Sequence, residues 1–209
     1  VKRIDIGLIC LFLIRYNCAK REKLKMFDSV TVGHFSIDTI TTPHATSPKR
    51  VLGGSPTYVS LAATKLGASV SVISKVGEDF PNRYVEWLEA HRVDLSGLHL
   101  VVDASTTEFI LEYGDVERRL RLKSRAPTIY VEDIPISVRA KAIHVAPIAN
   151  EITPNVINAL RRRTKLLSLD PQGFVRSFDK QGIVHLKTWK GRQVLQHIDV
   201  FKSSTEEIK

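Results

Sequence analysis

GGSPTYVSLAATKLGASVSVISKVGEDF, residues 53–80, decides the fold of this chain. Paired glycines precede a run of helix formers, with Ser55 suited to the N-cap and Pro56 to the first helical position, where no N–H is needed. Val59, Ala62, Ala63 and Leu66 fall at i, i+3, i+4 and i+7, which predicts one inward helix face, and Gly67 stops the helix. Residues 70–76 then read as a buried strand. Residues 81–91 predict a second helix with Tyr84, Trp87, Leu88 and His91 on its inner side. Strand and helix alternating in short units predict a parallel sheet covered by helices.

Working outward, residues 29–35 (SVTVGHF) form a β-rich opening strand whose end Gly33 loosens, and Asp38 follows it. On the other side the texture changes. Residues 107–113 alternate, Gly114 and Asp115 make a turn, and Leu120 and Leu122 alternate with Arg119, Arg121 and Lys123. That pattern predicts an antiparallel hairpin set into an α/β chain, serving as a lid or an oligomer contact. The α/β rhythm resumes with a strand at 142–145, a helix at 154–161 and a strand at 166–169 that ends at Asp170. A short strand at 182–185, a short helix at 190–196 and a last strand at 200–202 follow, and Ser204 suits the N-cap of a helix barely begun at Lys209. An uncovered sheet edge there makes the chain read as a truncated domain.

The bulk numbers agree with one sizeable α/β domain: 209 residues, 43% hydrophobic and 25% charged. The net charge of +9 is uneven. Residues 1–25 carry seven basic residues against Asp5 and Glu22, which leaves +5 there and only +4 on the rest. No basic run interleaved with aromatics exists in the body, which argues against a nucleic-acid surface. The apolar run at 6–14 is nine residues long, far short of the roughly 20 that span a bilayer. Both cysteines, Cys10 and Cys18, lie in the same segment, so the body has no disulfide framework and fits a reducing, cytoplasmic setting. Met26, the only methionine, directly precedes the first strand, so residues 1–25 read as an extra segment outside the fold of 26–209.

Several polar residues fall after predicted strands, where the carboxyl ends of an α/β sheet gather ligands. Asp38 is one, suited to accept hydrogen bonds from two hydroxyls of a polyol or to cap a loop. Gly53 and Gly54 either let a ligand approach backbone closely or make a tight turn. Asp170 and Gln172 follow one strand, and Lys202, Ser204 and Glu207 another. The seven histidines show no metal-ligand spacing, and His34 and His144 read as packing or capping residues. Neither a GxSxG elbow nor a GxxxxGK[ST] loop is present.

Taken in order, VTVGHFSID (residues 30–38) and GGSPTYVSLAATKLGASVSVISKVGEDF resemble the opening strand and first signature of the PfkB/ribokinase family of small-molecule kinases. GGSPTY, DPQGFVR (residues 170–176) and FKSSTEE (residues 201–207) are most similar to its myo-inositol-kinase-like branch. The resemblance runs over residues 26–209. It implies a ribokinase-like fold, a mostly parallel sheet with helices and a small antiparallel β lid, whose strands lie around 39–52 and 100–123. It implies transfer of the γ-phosphate of ATP to a hydroxyl of a polyol, sugar or nucleoside, with Mg²⁺. Asp38, Gly53, Gly54, Tyr58, Asp170 and Gln172 would hold the acceptor, and Lys202, Ser204 and Glu207 would order phosphate and Mg²⁺. Two positions depart from the family: Tyr58 stands where many sugar kinases have Asn, and Ser204 where the family has the Asn of an Asn-x-x-Glu motif. The family's GAGD element, with its anion hole and catalytic base, does not occur in the sequence. The expectation is therefore a kinase fragment inactive alone, or else a non-catalytic binding or dimerising remnant, with the lid compatible with a homodimer clasp. Nucleic acid and membrane are not expected partners.

Overall fold

The computed structural model describes residues 25–207, apart from 45 and 115–117. The extra N-terminal segment, Asp115 of the predicted turn and the last two residues therefore lie outside the described residues.

Six strands form an all-parallel sheet: β1 (Lys25–Val32), β4 (Val70–Gly77), β5 (Val93–Val101), β8 (Val138–Val145), β9 (Thr164–Leu169) and β12 (Val200–Phe201), in the order β12-β9-β8-β1-β4-β5. β4 is buried at every residue, as a central parallel strand sandwiched by other elements should be. The chain builds outward from β1 to β4 and β5, then returns to the other side of β1 to lay down β8 and β9. Strand order thus reverses beside β1, and a crevice opens at the carboxyl ends of β1 and β8.

The two faces of the sheet carry separate cores. Val30, Val32, Ile143, Val145 and Leu167 pack against Val156, Ile157 and Leu160 of helix α3 (Pro154–Arg161). Val72 and Val76 point the opposite way, to Leu88 of α2 (Asn82–Ala90) and to Phe35 and Phe80. Helix α1 (Ser55–Lys65) also covers β1 and β4, but not with the predicted face. Its buried residues are Pro56, Thr57 and Ser60, while Leu66 is 88% exposed. The Thr57 hydroxyl donates to Gly53 O at 2.6 Å and Ser60 to Thr57 O at 3.3 Å, so small polar side chains satisfy themselves locally and let the helix approach the sheet. Nor is Ser55 the cap. Gly54 occupies that position, and no side chain caps the helix. Trp87 of α2 and His91, just past its end, lie on the outer surface rather than inward, their rings 4.4 Å apart.

The second sheet has four strands, β2 (Ser36–Thr41), β3 (Lys49–Gly53), β6 (Thr107–Tyr113) and β7 (Arg118–Ser124), ordered β3-β2-β6-β7. Both hairpins are antiparallel, and a parallel join of β2 to β6 unites them. Residues 93–101 belong to the central sheet as β5, so the second pair of small-sheet strands starts at Thr107. The remaining elements among the described residues are a two-stranded ribbon, β10 (Arg176–Phe178) with β11 (Val184–Leu186), two single turns, α4 (Gln172–Val175) and α5 (Arg192–Leu195), and a 3-10 turn at Val131–Asp133. No helix among the described residues is long and apolar enough to cross a membrane.

Candidate active site

A cavity of about 310 Å³ lies between the small sheet and the carboxyl ends of the parallel strands. One wall comes from β2 and the start of α1. Ser36 and Asp38 share a face of β2 because they are two residues apart, and the Ser36 hydroxyl donates to Asp38 Oδ1 at 2.8 Å. The β2–β3 register sets Gly53 opposite Ser36 and Val51 opposite Asp38. A Cβ at residue 53 would stand 2.1 Å from Asp38 Oδ2, so the carboxylate lies in the space that glycine leaves. Gly54 has φ 84°, and a Cβ there would meet His34 O at 2.4 Å. Burial raises the Asp38 pKa, with the Ser36 hydrogen bond and the charge of Arg176 working against it. Tyr58, one turn into α1, is 61% exposed, and partial burial with the nearby Asp38 charge pushes its phenol up.

The opposite wall comes from the ends of β9 and β12. Asp170 follows β9, accepts Gln172 N–H at 3.3 Å on Oδ1, and pairs through Oδ2 with Lys202 Nζ at 2.8 Å. Arg176, at the end of α4, lines the floor. One of its nitrogens donates to Ile148 O at 3.3 Å, and its guanidinium carbon sits 5.9 Å from the centre of the Phe109 ring. Burial pushes its pKa down to about 10, with Glu207 and Asp170 opposing and Arg118 adding to the fall. The small sheet supplies Phe109, Leu111, Arg118 and Leu120 to the same cavity.

A buried network joins the two walls. His34, fully buried after β1, holds Pro127 O at 3.0 Å through Nε2. A carbonyl only accepts, so Nε2 carries the proton and Nδ1 accepts from the Thr107 hydroxyl at 2.9 Å. Burial lowers the His34 pKa, which keeps the ring neutral. Glu151, also fully buried, accepts the backbone N–H groups of His34, Ile148 and Ala149 at 2.7–3.0 Å. The end of β1, the loop that binds Arg176 and the root of β6 are thereby tied together.

Of the residues singled out from the sequence, Asp38, Gly54, Tyr58, Asp170, Gln172 and Lys202 line this cavity. Gly53 lies beneath Asp38 without lining it. Ser204 and Glu207 stand outside as a reciprocal cap: Glu207 Oε2 accepts Ser204 N–H at 2.9 Å, and Ser204 Oγ accepts Glu207 N–H at 3.4 Å. Glu207 reaches the site only through Gln172 Nε2, at 3.5 Å. Burial would raise its pKa, but hydrogen bonds from Ser204, Gln172 and Ser203 carry it below the usual range. Sequence reasoning passed over Ser36, Arg118 and Arg176. Ser36 is marked only by its two-residue spacing from Asp38, and Arg176 only by closing DPQGFVR. Among the described residues no group of three His, Cys, Asp or Glu could hold a metal ion. Three cations and the Gly54 backbone suit a phosphate group, and a Mg²⁺ ion carried by that phosphate needs only one or two carboxylates.

The family model for the pfkB family carbohydrate kinases matches residues 26–177. A cytidine kinase of Thermococcus kodakarensis is 30% identical over 156 residues, 70% of this chain and 52% of that protein. An inositol 3-kinase of Oryza sativa subsp. japonica is 28% identical over 173 residues, 75% of this chain and 42% of that protein. The chain thus spans about half the length of these relatives. Among solved structures, a pyrophosphate-dependent kinase in the ribokinase family, complexed with a pyrophosphate analog and myo-inositol, superimposes with a TM-score of 0.74 at 23% identity. The match covers 86% of this chain and 62% of that one.

Proposed function

This chain belongs to the pfkB family of carbohydrate kinases, and on that premise we propose that its cavity holds the acceptor of a phosphotransferase acting on a small polyol, sugar or nucleoside. A myo-inositol-like acceptor is favoured, with ATP as donor. The observation that carries the reading is the Asp38 carboxylate, lodged over Gly53 and facing a cavity of about 310 Å³ that is open to solvent on one side. That volume suits one small ligand. A desolvated carboxylate gains more from two ligand hydroxyls than an exposed one would, because water is no longer its competitor.

The chain's own residues divide the work. Asp38, Ser36 and Tyr58 orient the acceptor, and Phe109, Leu111 and Leu120 keep water from it. Lys202 and Arg176 neutralise phosphate charge, which is the main demand of phosphoryl transfer. A Mg²⁺ ion arriving with the donor would have Asp170 as its carboxylate in the cavity lining and would add positive charge around the phosphates. Both carboxylates that line the cavity are engaged, Asp38 by Ser36 and Asp170 by Lys202. With no GAGD element in the sequence, the proposal is acceptor binding with negligible turnover by the 209 residues alone.

Calorimetric titration with myo-inositol, cytidine and ribose tests this, beside a phosphotransfer assay with ATP and, separately, pyrophosphate. Saturable binding of at least one acceptor is expected, weakened about tenfold to a hundredfold in Asp38→Ala by loss of hydrogen bonds to a charged group. Binding that is absent, or indifferent to Asp38→Ala, defeats the acceptor reading; brisk turnover defeats the claim about activity.

A further inference from the structure

A second concavity lies where β3, an outer strand of the small sheet, meets α1 and α2: an open groove of about 540 Å³. Three rings line it, Tyr58, Tyr84 and Trp87, and aliphatic side chains make up most of the rest. Tyr58 and Trp87 are 61% and 42% exposed, so a wide aromatic surface faces solvent. The rings are nevertheless anchored. Tyr84 packs on Phe80 with ring centres 6.1 Å apart, and Trp87 on His91 at 4.4 Å. Among the described residues the charged part of the lining is Arg50 and Arg83, both positive. Arg83 holds its guanidinium 5.0 Å from the centre of the Tyr84 ring and joins no ion pair among the described residues. Arg50 has Glu108 at 3.4 Å, but that carboxylate is shared with Lys123 at 3.1 Å. Flat ring faces beside an unmatched guanidinium suit a flat ring that carries an anion, and a guanidinium fork matches a carboxylate in plane. A second copy of the chain suits the groove less well. A two-fold contact would set Arg50 and Arg83 against their own copies, and like charges brought together oppose association.

We propose that this groove is a second ligand site, separate from the acceptor cavity, for a small planar aromatic carboxylate. The ring of such a molecule lies against Tyr84 and Trp87, its carboxylate meets Arg83, and Arg50 adds positive charge from the β3 side. Tyr58 lines both the groove and the acceptor cavity, so the two sites are neighbours that share one wall. The site does not depend on what the acceptor is.

Calorimetric titration of the 209-residue chain with three probes at fixed ionic strength separates ring from charge. Indole-3-acetate carries both, indole-3-acetamide is its neutral counterpart of nearly the same shape, and cyclohexylacetate has the charge without the flat ring. Indole-3-acetate is expected to saturate with a Kd below about 1 mM. It should bind at least about tenfold more tightly than either comparator, the factor that one hydrogen bond between charged groups supplies. Arg83→Met should erase the preference for acetate over amide, and Trp87→Ala should weaken both indoles. Both residues are exposed, so neither change opens the core. Arg162→Met, which removes the same charge just past the end of α3, should alter nothing. Absence of saturation overturns the inference, as does equal binding of the acetate and either comparator. Binding that Arg83→Met leaves intact and excess myo-inositol displaces belongs to the acceptor cavity and also overturns it. So does a dimer in sedimentation velocity that Trp87→Ala splits, since the groove is then an interface between copies.

Discussion

Gly53→Ala should damage the site more than its one added methyl group suggests. The new Cβ would stand 2.1 Å from Asp38 Oδ2 and 2.5 Å from its Cγ, far inside van der Waals contact. Backbone adjustment offers little relief, because β2 and β3 are paired over five residues, Ser36↔Gly53 through Ile40↔Lys49. The carboxylate must rotate away and give up the Ser36 hydroxyl at 2.8 Å. Overpacking of this kind costs about 1–3 kcal/mol, and a lost hydrogen bond to a charged group about 1.5–3 kcal/mol. One motion causes both, so the expected loss is about 2–4 kcal/mol, or roughly 5–15 °C in Tm for a domain of this size. Thermal melts of Gly53→Ala, Asp38→Ala and the double variant form a cycle. With Asp38 truncated the methyl group has room, and Gly53→Ala should then cost under about 1 kcal/mol. Gly54→Ala supplies the contrast, because its Cβ would meet the His34 carbonyl at 2.4 Å and Asp38→Ala cannot help it. An equal loss from Gly53→Ala in both backgrounds would show that the glycine does not serve the carboxylate.

Three further expectations follow from buried groups. Glu151→Ala leaves three buried backbone N–H groups without their acceptor, at about 1–3 kcal/mol each. Urea unfolding should show a loss above about 3 kcal/mol, with Glu151→Gln milder because it keeps one acceptor oxygen; equal losses would refute the assignment. Burial raises the Asp38 pKa above 3.8, so ligand binding that needs the ionised form should fade on acidification through a midpoint above that value. Ser36→Ala should move the midpoint higher still, and a wild-type midpoint at or below 3.8 would contradict the geometry. Burial lowers the His34 pKa below 6.5, so under acid conditions the unfolded chain binds more protons than the folded one. Stability should therefore decline as pH falls from 6.5 through the folded-state pKa. His34→Gln should flatten that decline in chemical unfolding between about pH 6.5 and 5, and an unchanged slope would count against it.

How much of this was legible depended on which force shaped each segment. β4 and α3 are governed by burial, and their apolar runs announce them: residues 70–76 fall within Val70–Gly77, and 154–161 matches Pro154–Arg161. β5 was not visible as a central strand. It lies at the sheet's edge, carries Asp94, Ser96, Gly97 and His99, and shifts register against β4 between Ser71 and Ile73. The helix that opens at Gly54 was placed correctly but turned wrongly, because hydrophobic spacing cannot find an interface made of Pro56, Thr57 and Ser60. In the cavity, the residues found were polar groups just after strands. Arg176 escaped because it lies six residues past Asp170, and only the turn of α4 brings it back to the same space. Ser204 and Glu207 were joined to phosphate by resemblance, whereas the structure spends their hydrogen bonds on each other.

The glycine pair shows why a motif can be read two ways and satisfy both. Gly54 is a matter of backbone, its φ of 84° and its closeness to His34 O leaving no room for a side chain. Gly53 is a matter of chemistry, since the space above it is filled by the Asp38 carboxylate. Neither residue needs a ligand to account for it, yet together they fix where that carboxylate points. The β2–β3 hairpin holds Asp38 over Gly53, and the turn at Gly54 starts the helix that carries Tyr58 to the same cavity. Asp38 is therefore desolvated before any acceptor arrives, with Ser36 as its one hydrogen-bond donor. A carboxylate held in that condition loses little further hydration when it accepts ligand hydroxyls, and its position needs no reordering. If Asp38 holds the acceptor as proposed, preorganisation of this kind should favour a rigid polyhydroxylated ring over a flexible chain, because a flexible ligand must still surrender its own conformational freedom.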